Sequence, residues 1–130
     1  MAAHPNAEPI RRAFDAFARG DMATMTNAVA EDTVWHIPGR GPLSGDYQGR
    51  DTVFELFSRL LQGSEGSFTQ ELHDALASDD HAVALTHATA RRGTHNYDFN
   101  DVWVFHLRDG QIAEAWWRPE DLYAADEFWT

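Results

Sequence analysis

The sequence predicts an α+β domain in which helices come first and an antiparallel sheet follows. Apolar residues recur at helical spacing through the first half of the chain, and from residue 68 an alternation of period two replaces that spacing. Asp109-Gly110 is a strong signal for a two-residue hairpin between two such alternating segments. Helices followed by a meander of strands are typical of a domain whose helices pack on one face of a curved sheet.

Three helices are predicted in the N-terminal half. The first begins at Pro9, which suits a first helical position, and ends at Gly20, after which Asp21 can cap a second, short helix. The third runs from Gly49 and is closed by Gly63 and Gly66. The helices carry apolar stripes at helical spacing: Ile10, Phe14 and Phe17; Met22, Met25 and Val29; Val53, Phe57, Leu60 and Leu61.

The remaining segments are predicted to be strands and turns. The span 33–37 is rich in β-branched and aromatic residues and ends before Pro38, and the Gly/Pro-rich span 38–45 is typical of a loop. The span 68–77 is predicted as a strand, although the spacing of Leu72 and Leu76 suits a helix equally. Further strands are predicted over 81–90, 97–107 and 112–117, with turns at Asp79-Asp80, Arg92-Gly93 and Asp109-Gly110.

Length and composition limit the classes of protein to consider. A chain of 130 residues without a linker or repeat predicts one domain spanning 1–130. The net charge of −11 disfavours nucleic acid as a partner. No apolar run is long enough for a membrane span, and the span 1–9 lacks the features of a secretory signal, so we expect a cytoplasmic protein without a membrane partner.

The residues that bind metals and cofactors are absent or wrongly spaced. Cysteine is absent, which excludes disulfides, thiolate metal sites and cysteine nucleophiles. The seven histidines show neither a His-x-His nor a His-Glu-x-x-His spacing, and no dinucleotide fingerprint opens a strand-to-helix unit. We therefore expect no metal and no cofactor. Aromatic residues make up 12% of the chain, which indicates an aromatic-lined cavity.

Three stretches of sequence carry a family resemblance. They are Gly20-Asp21 between the first two helices, EDTVWHIPG at 31–39 followed by LSGDYQGRD at 43–51, and RDGQIAEAW at 108–116. Together with the element order, they resemble the SnoaL-like and ketosteroid-isomerase-like branch of the NTF2-like superfamily. The resemblance implies a cone, in which three N-terminal helices pack on a curved antiparallel sheet and enclose an apolar pocket. Such pockets hold small, largely apolar molecules in volumes of roughly 300–1,000 Å³.

Strand alternation, aligned on Pro38 and on the 109–110 hairpin, predicts which residues face this pocket. We expect His36 to face inward on the first strand and Trp35 outward. The larger residues of 81–90, which include Leu85 and His87, form the expected inner face of that strand. The residues expected to contact a ligand are Phe14, Leu85, His87, Phe99, Trp103 and Trp117.

The resemblance also implies two catalytic positions. The general base of the ketosteroid isomerases falls on His36, and their hydrogen-bonding acid falls on Asp101. The chain departs from that pattern, because the base is a histidine and the expected phenol of the first helix is replaced by Ala13 or Phe14. These departures argue against steroid isomerisation. A histidine can nevertheless accept a proton near neutral pH without a shift of its pKa.

Each of these residues also has an ordinary structural interpretation. His36 could be a core or loop-facing histidine bound to the backbone, and Asp101 could be an exposed carboxylate on a strand of the opposite phase. His87 could pair with Asp101 across neighbouring strands or simply fill the wall.

Three functions remain open on this sequence. The first is an isomerase, cyclase, dehydratase or hydrolase that uses proton transfer by His36 with Asp101 on a small apolar molecule. The second is a non-catalytic binding or accessory protein with the same pocket, and the third is a protein-interaction module. We also expect a homodimer through the outer face of the sheet, where Trp116 is flanked by Glu114 and Arg118.

Overall fold

The structure, a computed structural model, describes residues 4–130. Four helices and six strands follow one another in that part of the chain. Their bounds are α1 Ala7–Arg19, α2 Met22–Ala28, β1 Val29–Ile37, β2 Gly45–Gln48, α3 Arg50–Gly63, β3 Thr69–Ala77, β4 His81–Arg92, β5 His95–Arg108, β6 Gln111–Pro119 and α4 Leu122–Trp129. Within residues 4–130, no helix combines the length and the apolar character that a membrane crossing requires.

The strands form one curved sheet that does not close, in the order β2-β1-β6-β5-β4-β3. The run from β3 to β6 is antiparallel and is connected by turns, as the sequence predicts. One pair departs from the antiparallel expectation, because β1 runs parallel to β6. These two strands are far apart in the chain, so no hairpin turn dictates their relative direction.

The local signals for helix ends and turns are confirmed. Gly20 takes the left-handed conformation at φ 68° and ends α1. The side chain of Asp21 caps α2 by accepting a 3.1 Å hydrogen bond from the backbone N–H of Thr24. Asp109 and Gly110 both have positive φ, at 54° and 75°, which a two-residue hairpin of the I′ type requires.

Several element bounds differ from the sequence prediction. The helix α1 begins at Ala7, before Pro9, and β1 begins at Val29, directly after α2. The predicted loop at 38–45 ends in β2, and the ambiguous span 68–77 is a strand. The C-terminal segment forms α4, which is capped by Asp121.

Candidate functional site

A cavity of about 80 Å³ lies between the inner face of the sheet and the helices α1 and α3. It is smaller than the pockets that hold drug-sized ligands. Aliphatic and aromatic side chains make up nearly the whole wall, and the amide of Gln70 is its clearest polar group. The residues that line it are Ala13, Phe14, Phe17, Met25, Trp35, Ile37, Leu43, Leu56, Phe57, Leu60, Phe68, Gln70, Tyr97, Trp103, Phe105, Ile112, Trp117 and Trp129.

Three of the residues expected to contact a ligand lie in this wall, namely Phe14, Trp103 and Trp117. Phe99 lies on the same inner face of β5 but packs in a second apolar cluster with Tyr97 and Phe128. The binding role of these side chains stays a prediction, while their placement defines the apolar surface that a ligand would meet.

Asp101 is a buried carboxylate behind this wall, with an exposed fraction of 3%. It accepts hydrogen bonds from Trp117 Nε1 at 2.7 Å, from Gln70 Nε2 at 3.0 and 3.2 Å, and from Thr86 Oγ1 at 2.6 Å. All three partners act as donors, which is the arrangement that compensates the desolvation of a carboxylate. The alternative of an exposed carboxylate on a strand of opposite phase is therefore wrong.

The expectation that His36 faces the pocket is wrong. Its ring stacks on Trp116, and its two nitrogens contact carboxylates of neighbouring strands, Asp46 at 2.7 Å and Glu114 at 2.6 Å. Trp35, the preceding residue, is buried in the core and lines the cavity instead. The whole strand is thus one residue out of the expected phase, which moves each side chain to the other face of the sheet. His36 and Asp101 lie on opposite faces and cannot act on one molecule.

The same correction applies to Leu85 and His87 on β4. Both lie on the outer face, where His87 contacts Asn100 at 2.8 Å and Asp98 at 2.7 Å. The pairing of His87 with Asp101 that the sequence left open is therefore absent, and Asp101 lies opposite Thr86.

The inner face of β4 consists of small residues because its neighbour β5 supplies the bulk. Each inward alanine of β4 lies opposite an aromatic residue of β5 in the strand register: Ala82 opposite Phe105, Ala84 opposite Trp103, Ala88 opposite Phe99 and Ala90 opposite Tyr97. A large ring beside a small side chain fills the layer without overlap. For this reason the expectation that the face with the larger side chains points inward is wrong on β4.

Charge is concentrated around His36 on the outer face. Burial alone would lower the pKa of His36, but the hydrogen bonds to Glu114 and Asp46 outweigh burial, and the pKa lies above its ordinary 6.5. Contact with a carboxylate at each ring nitrogen suits the imidazolium, which donates from both. This cluster is an electrostatic feature of the outer face of the sheet, on the side opposite the cavity.

Two buried donors of the cavity wall have no hydrogen-bond partner among residues 4–130, the hydroxyl of Tyr97 and the indole N–H of Trp103. Two other indoles of the wall have hydrogen-bond partners. Trp35 donates to Thr33 Oγ1 at 2.9 Å, and Trp117 donates to Asp101.

Sequence reasoning missed several residues of the wall, among them Trp35, Gln70, Tyr97 and Trp129. A signal existed for Tyr97, because the alternation of Phe99, Asp101 and Trp103 extends to it by one more step of two. For Gln70 we find no such signal, because it is a single polar side chain on a strand whose period was ambiguous.

One end of the cavity is covered by α4. Trp129 of this helix lines the cavity, and the carboxylate of Asp126 accepts hydrogen bonds from the backbone N–H groups of Arg40 at 2.9 Å and Gly41 at 3.1 Å. These bonds hold the helix against the loop that precedes β2. Within residues 4–130, no group of three or more acidic or histidine side chains is placed to hold a metal ion.

The helices packed on a curved, unclosed six-stranded sheet define an NTF2-like fold. The family model of the SnoaL-like domain matches residues 10–115, and the chain belongs to this family.

Individual proteins are similar to this chain in sequence or in fold alone. The uncharacterized protein Rv0034 from Mycobacterium tuberculosis is 30% identical over 122 residues, which cover 93% of each chain. The structure of Bal32a, from a soil-derived mobile gene cassette, superposes with a TM-score of 0.92 at 38% identity and 96% coverage of both chains. IdmH from Streptomyces antibioticus, described as a proposed polyketide cyclase, has a TM-score of 0.74 at 18% identity, over 90% of this chain and 93% of its own.

Proposed function

We propose that this protein binds a small, largely apolar molecule in the cavity between the helices and the inner face of the sheet. The observation that carries the proposal is the cavity wall itself, which is aromatic and aliphatic almost throughout. Burial of apolar ligand surface supplies the affinity in such a site, and a few polar groups set the orientation. Catalysis by His36 is not part of the proposal, because His36 lies on the other face of the sheet.

A substitution that fills the cavity tests the binding proposal. Ala13 lies on the wall and is buried, whereas Ala18 lies exposed on the same helix. We expect Ala13→Leu to abolish the binding of ethylbenzene, measured by quenching of tryptophan fluorescence, because the new side chain occupies the ligand's space. Ala18→Leu is the matched control and should bind as the wild type does. Equal binding by the two variants would place the ligand elsewhere and contradict the proposal.

A second candidate function is turnover of the bound molecule by proton transfer at Asp101. It is supported by the position of this carboxylate, which contacts two residues of the cavity wall, Gln70 and Trp117. An isomerase, cyclase, dehydratase or hydrolase of the SnoaL-like type would need such a group. Catalysed exchange of the methyl protons of acetophenone in D₂O, lost in Asp101→Ala, would favour turnover, and the absence of exchange would favour binding alone.

We also propose that two copies associate through the outer face of the sheet. A row of apolar residues crosses this face in strand register, from Leu76 through Val83 and Val104 to Trp116. Leu76 lies at one end of this row and has an exposed fraction of 53%. On β6, Glu114 and Arg118 flank Trp116, so a two-fold axis near this tryptophan brings opposite charges together.

Sedimentation tests the dimer. We expect the wild type to sediment as a dimer at micromolar concentration and Trp116→Glu to sediment as a monomer, because the new charge would be buried at the interface. Leu61→Glu, an exposed position on α3, is the control and should leave the dimer intact. A wild type that sediments as a monomer would contradict the proposal.

A further inference from the structure

A second, smaller void lies between the helix α4 and the loop 38–44, which precedes β2. It has a volume of about 10 Å³ and is lined by Gly41 and Ser44 of the loop and by Ala125 and Asp126 of the helix. Four further residues line both this small void and the cavity, namely Ile37, Leu43, Trp117 and Trp129. The small void therefore extends from the contact between the loop and α4 to the wall of the cavity.

On the side of α4, one carboxylate holds the loop. Asp126 accepts hydrogen bonds from the backbone N–H groups of Arg40 at 2.9 Å and Gly41 at 3.1 Å, and within residues 4–130 no other hydrogen bond joins the loop to α4. The approach is close because Gly39 and Gly41 have no Cβ atom, which would meet the side chain of Asp126. Loss of this side-chain contact would free the edge of the loop that faces α4.

The other side of the loop is attached to α3 and β2. Arg59 Nη2 donates to the carbonyl oxygen of Pro42 at 2.9 Å, and the hydroxyl of Tyr47 donates to the carbonyl oxygen of Leu43 at 2.7 Å. Gly45 follows the loop with a φ of +140° and with open space around it, which suits a hinge residue. The loop is therefore built to swing away from α4 while its attachments to α3 and β2 persist.

The helix α4 is anchored independently of the loop. Its residues Ala125 and Phe128 are buried in the second apolar cluster beside Tyr97. In addition, Arg92 Nη1 donates to the carbonyl oxygen of Phe128 at 2.9 Å. Because these contacts fix the helix, the loop is the movable member of the pair.

The size of the cavity requires a movable wall. Its volume is about 80 Å³, whereas pockets for drug-sized ligands have roughly 300–1,000 Å³. A ligand larger than the cavity fits only if part of the wall is displaced. The small void marks the place where space already continues beyond that wall.

Building on the proposed binding function, we propose that the loop 38–44 is the lid of the cavity and that Asp126 is its latch. The ligand enters and leaves between the loop and α4, through the small void. Asp126 does not line the cavity itself. The latch therefore changes the rates of ligand entry and release by the same factor and leaves the dissociation constant unchanged.

A reversible disulfide across the contact tests the lid. The chain contains no cysteine, and a Cβ on Gly41, whose φ is not positive, would lie 3.4 Å from the Cα of Asp126. This spacing suits the double variant Gly41→Cys/Asp126→Cys, because the Cβ atoms of a disulfide are about 3.5–4.5 Å apart. We expect the oxidised variant to bind and release ethylbenzene about tenfold more slowly than the wild type, with the same dissociation constant.

Reduction of the same double variant should have the opposite effect. With the disulfide broken and the carboxylate of Asp126 absent, the loop has lost its latch, and both rates should exceed those of the wild type about tenfold. Stopped-flow tryptophan fluorescence measures the two rates. The wild type is the control for the reductant, because it has no cysteine to reduce.

Two leucine variants test the same route without a disulfide. Leu43 lines both the small void and the cavity, whereas Leu60 of α3 lines the cavity but not the small void. Replacement of either by alanine enlarges the cavity, but only Leu43→Ala widens the passage. We expect ethylbenzene to associate about threefold faster with Leu43→Ala than with Leu60→Ala.

The outcomes separate the lid from binding itself. If ethylbenzene binds, but the oxidised and reduced forms exchange it at equal rates and the two leucine variants associate with it alike, the inference is overturned while the binding proposal stands. If the wild type does not bind ethylbenzene, the binding proposal and the lid are both overturned.

Discussion

The indole N–H of Trp117 donates a 2.7 Å hydrogen bond to the buried carboxylate of Asp101 on the neighbouring strand. In the strand register Trp117 lies opposite Trp103, and Asp101 is two residues before Trp103. The same indole ring lines the cavity. Trp117 therefore connects the apolar wall to the buried acid, and replacing it should affect both.

We expect Trp117→Phe to lower the free energy of unfolding by about 1.5–3 kcal/mol more than Trp103→Phe does. Both substitutions make the same change in size, but only Trp117 donates to a buried carboxylate, whereas the N–H of Trp103 has no partner within residues 4–130. Urea denaturation of the two variants measures the difference. Equal losses would mean that the bond to Asp101 contributes nothing measurable to stability.

Asp101→Asn should destabilise the fold by about 1–3 kcal/mol. The three partners of the carboxylate, Trp117, Gln70 and Thr86, all donate, and the amide replaces one acceptor oxygen by a further donor. Thermal and urea unfolding test this expectation, with Asp80→Asn, an exposed turn position, as the control for the loss of charge. A variant as stable as the wild type would show that the second acceptor oxygen of Asp101 contributes nothing measurable to stability.

His36 should stabilise the protein more at acidic than at alkaline pH. Its folded-state pKa is raised above 6.5 because hydrogen bonds to Glu114 and Asp46 outweigh the effect of burial. A raised folded pKa contributes stability that is fully present below the unfolded value and is lost as the pH rises through the folded value.

The measurement compares the wild type with His36→Gln at pH 5.5 and pH 8.5. We expect the difference in unfolding free energy between the two proteins to be larger at pH 5.5. His95→Gln, an exposed position at the start of β5, controls for the general effect of removing a histidine. A difference that grows towards pH 8.5 would mean that the neutral imidazole is the form that the fold prefers.

The fold could be predicted from the sequence because its signals are local. The left-handed glycine after α1, the aspartate cap of α2 and the hairpin at Asp109-Gly110 each depend on a few neighbouring residues. Helical spacing likewise needs no knowledge of what the helix packs against. These features agree with the structure because tertiary contacts reinforce them.

The catalytic pair could not be predicted, because alternation shows which residues share a face but not which face is inside. On β4 the inner face carries the smaller residues, since the rings of β5 fill the space beside them. On β1 the predicted phase is wrong by one residue, so His36 is expected at the cavity where the structure has Trp35. Asp101 and Trp103, by contrast, belong to a strand whose apolar rings all fall on one face, and there the predicted phase agrees with the structure.

The carboxylate of Asp126 holds α4 against the loop before β2. We expect Asp126→Ala to accelerate hydrogen exchange at the amides of Arg40 and Gly41 about tenfold, because both lose their acceptor. Release of ethylbenzene should also be faster, since Trp129 of the same helix covers one end of the cavity. Glu127→Ala, exposed on the same helix, is the control for the loss of charge.

Gly39 supplies an independent test of the same contact. It has a φ of +100°, and a Cβ at this position would overlap the Oδ1 atom of Asp126. Gly39→Ala should therefore displace the carboxylate and accelerate exchange at Arg40 and Gly41 even though Asp126 is intact. Once Asp126 is replaced by alanine, Gly39→Ala should have a smaller additional effect, because only the backbone strain remains. Fully additive effects of the two substitutions would show that they act separately and that the carboxylate does not hold the loop.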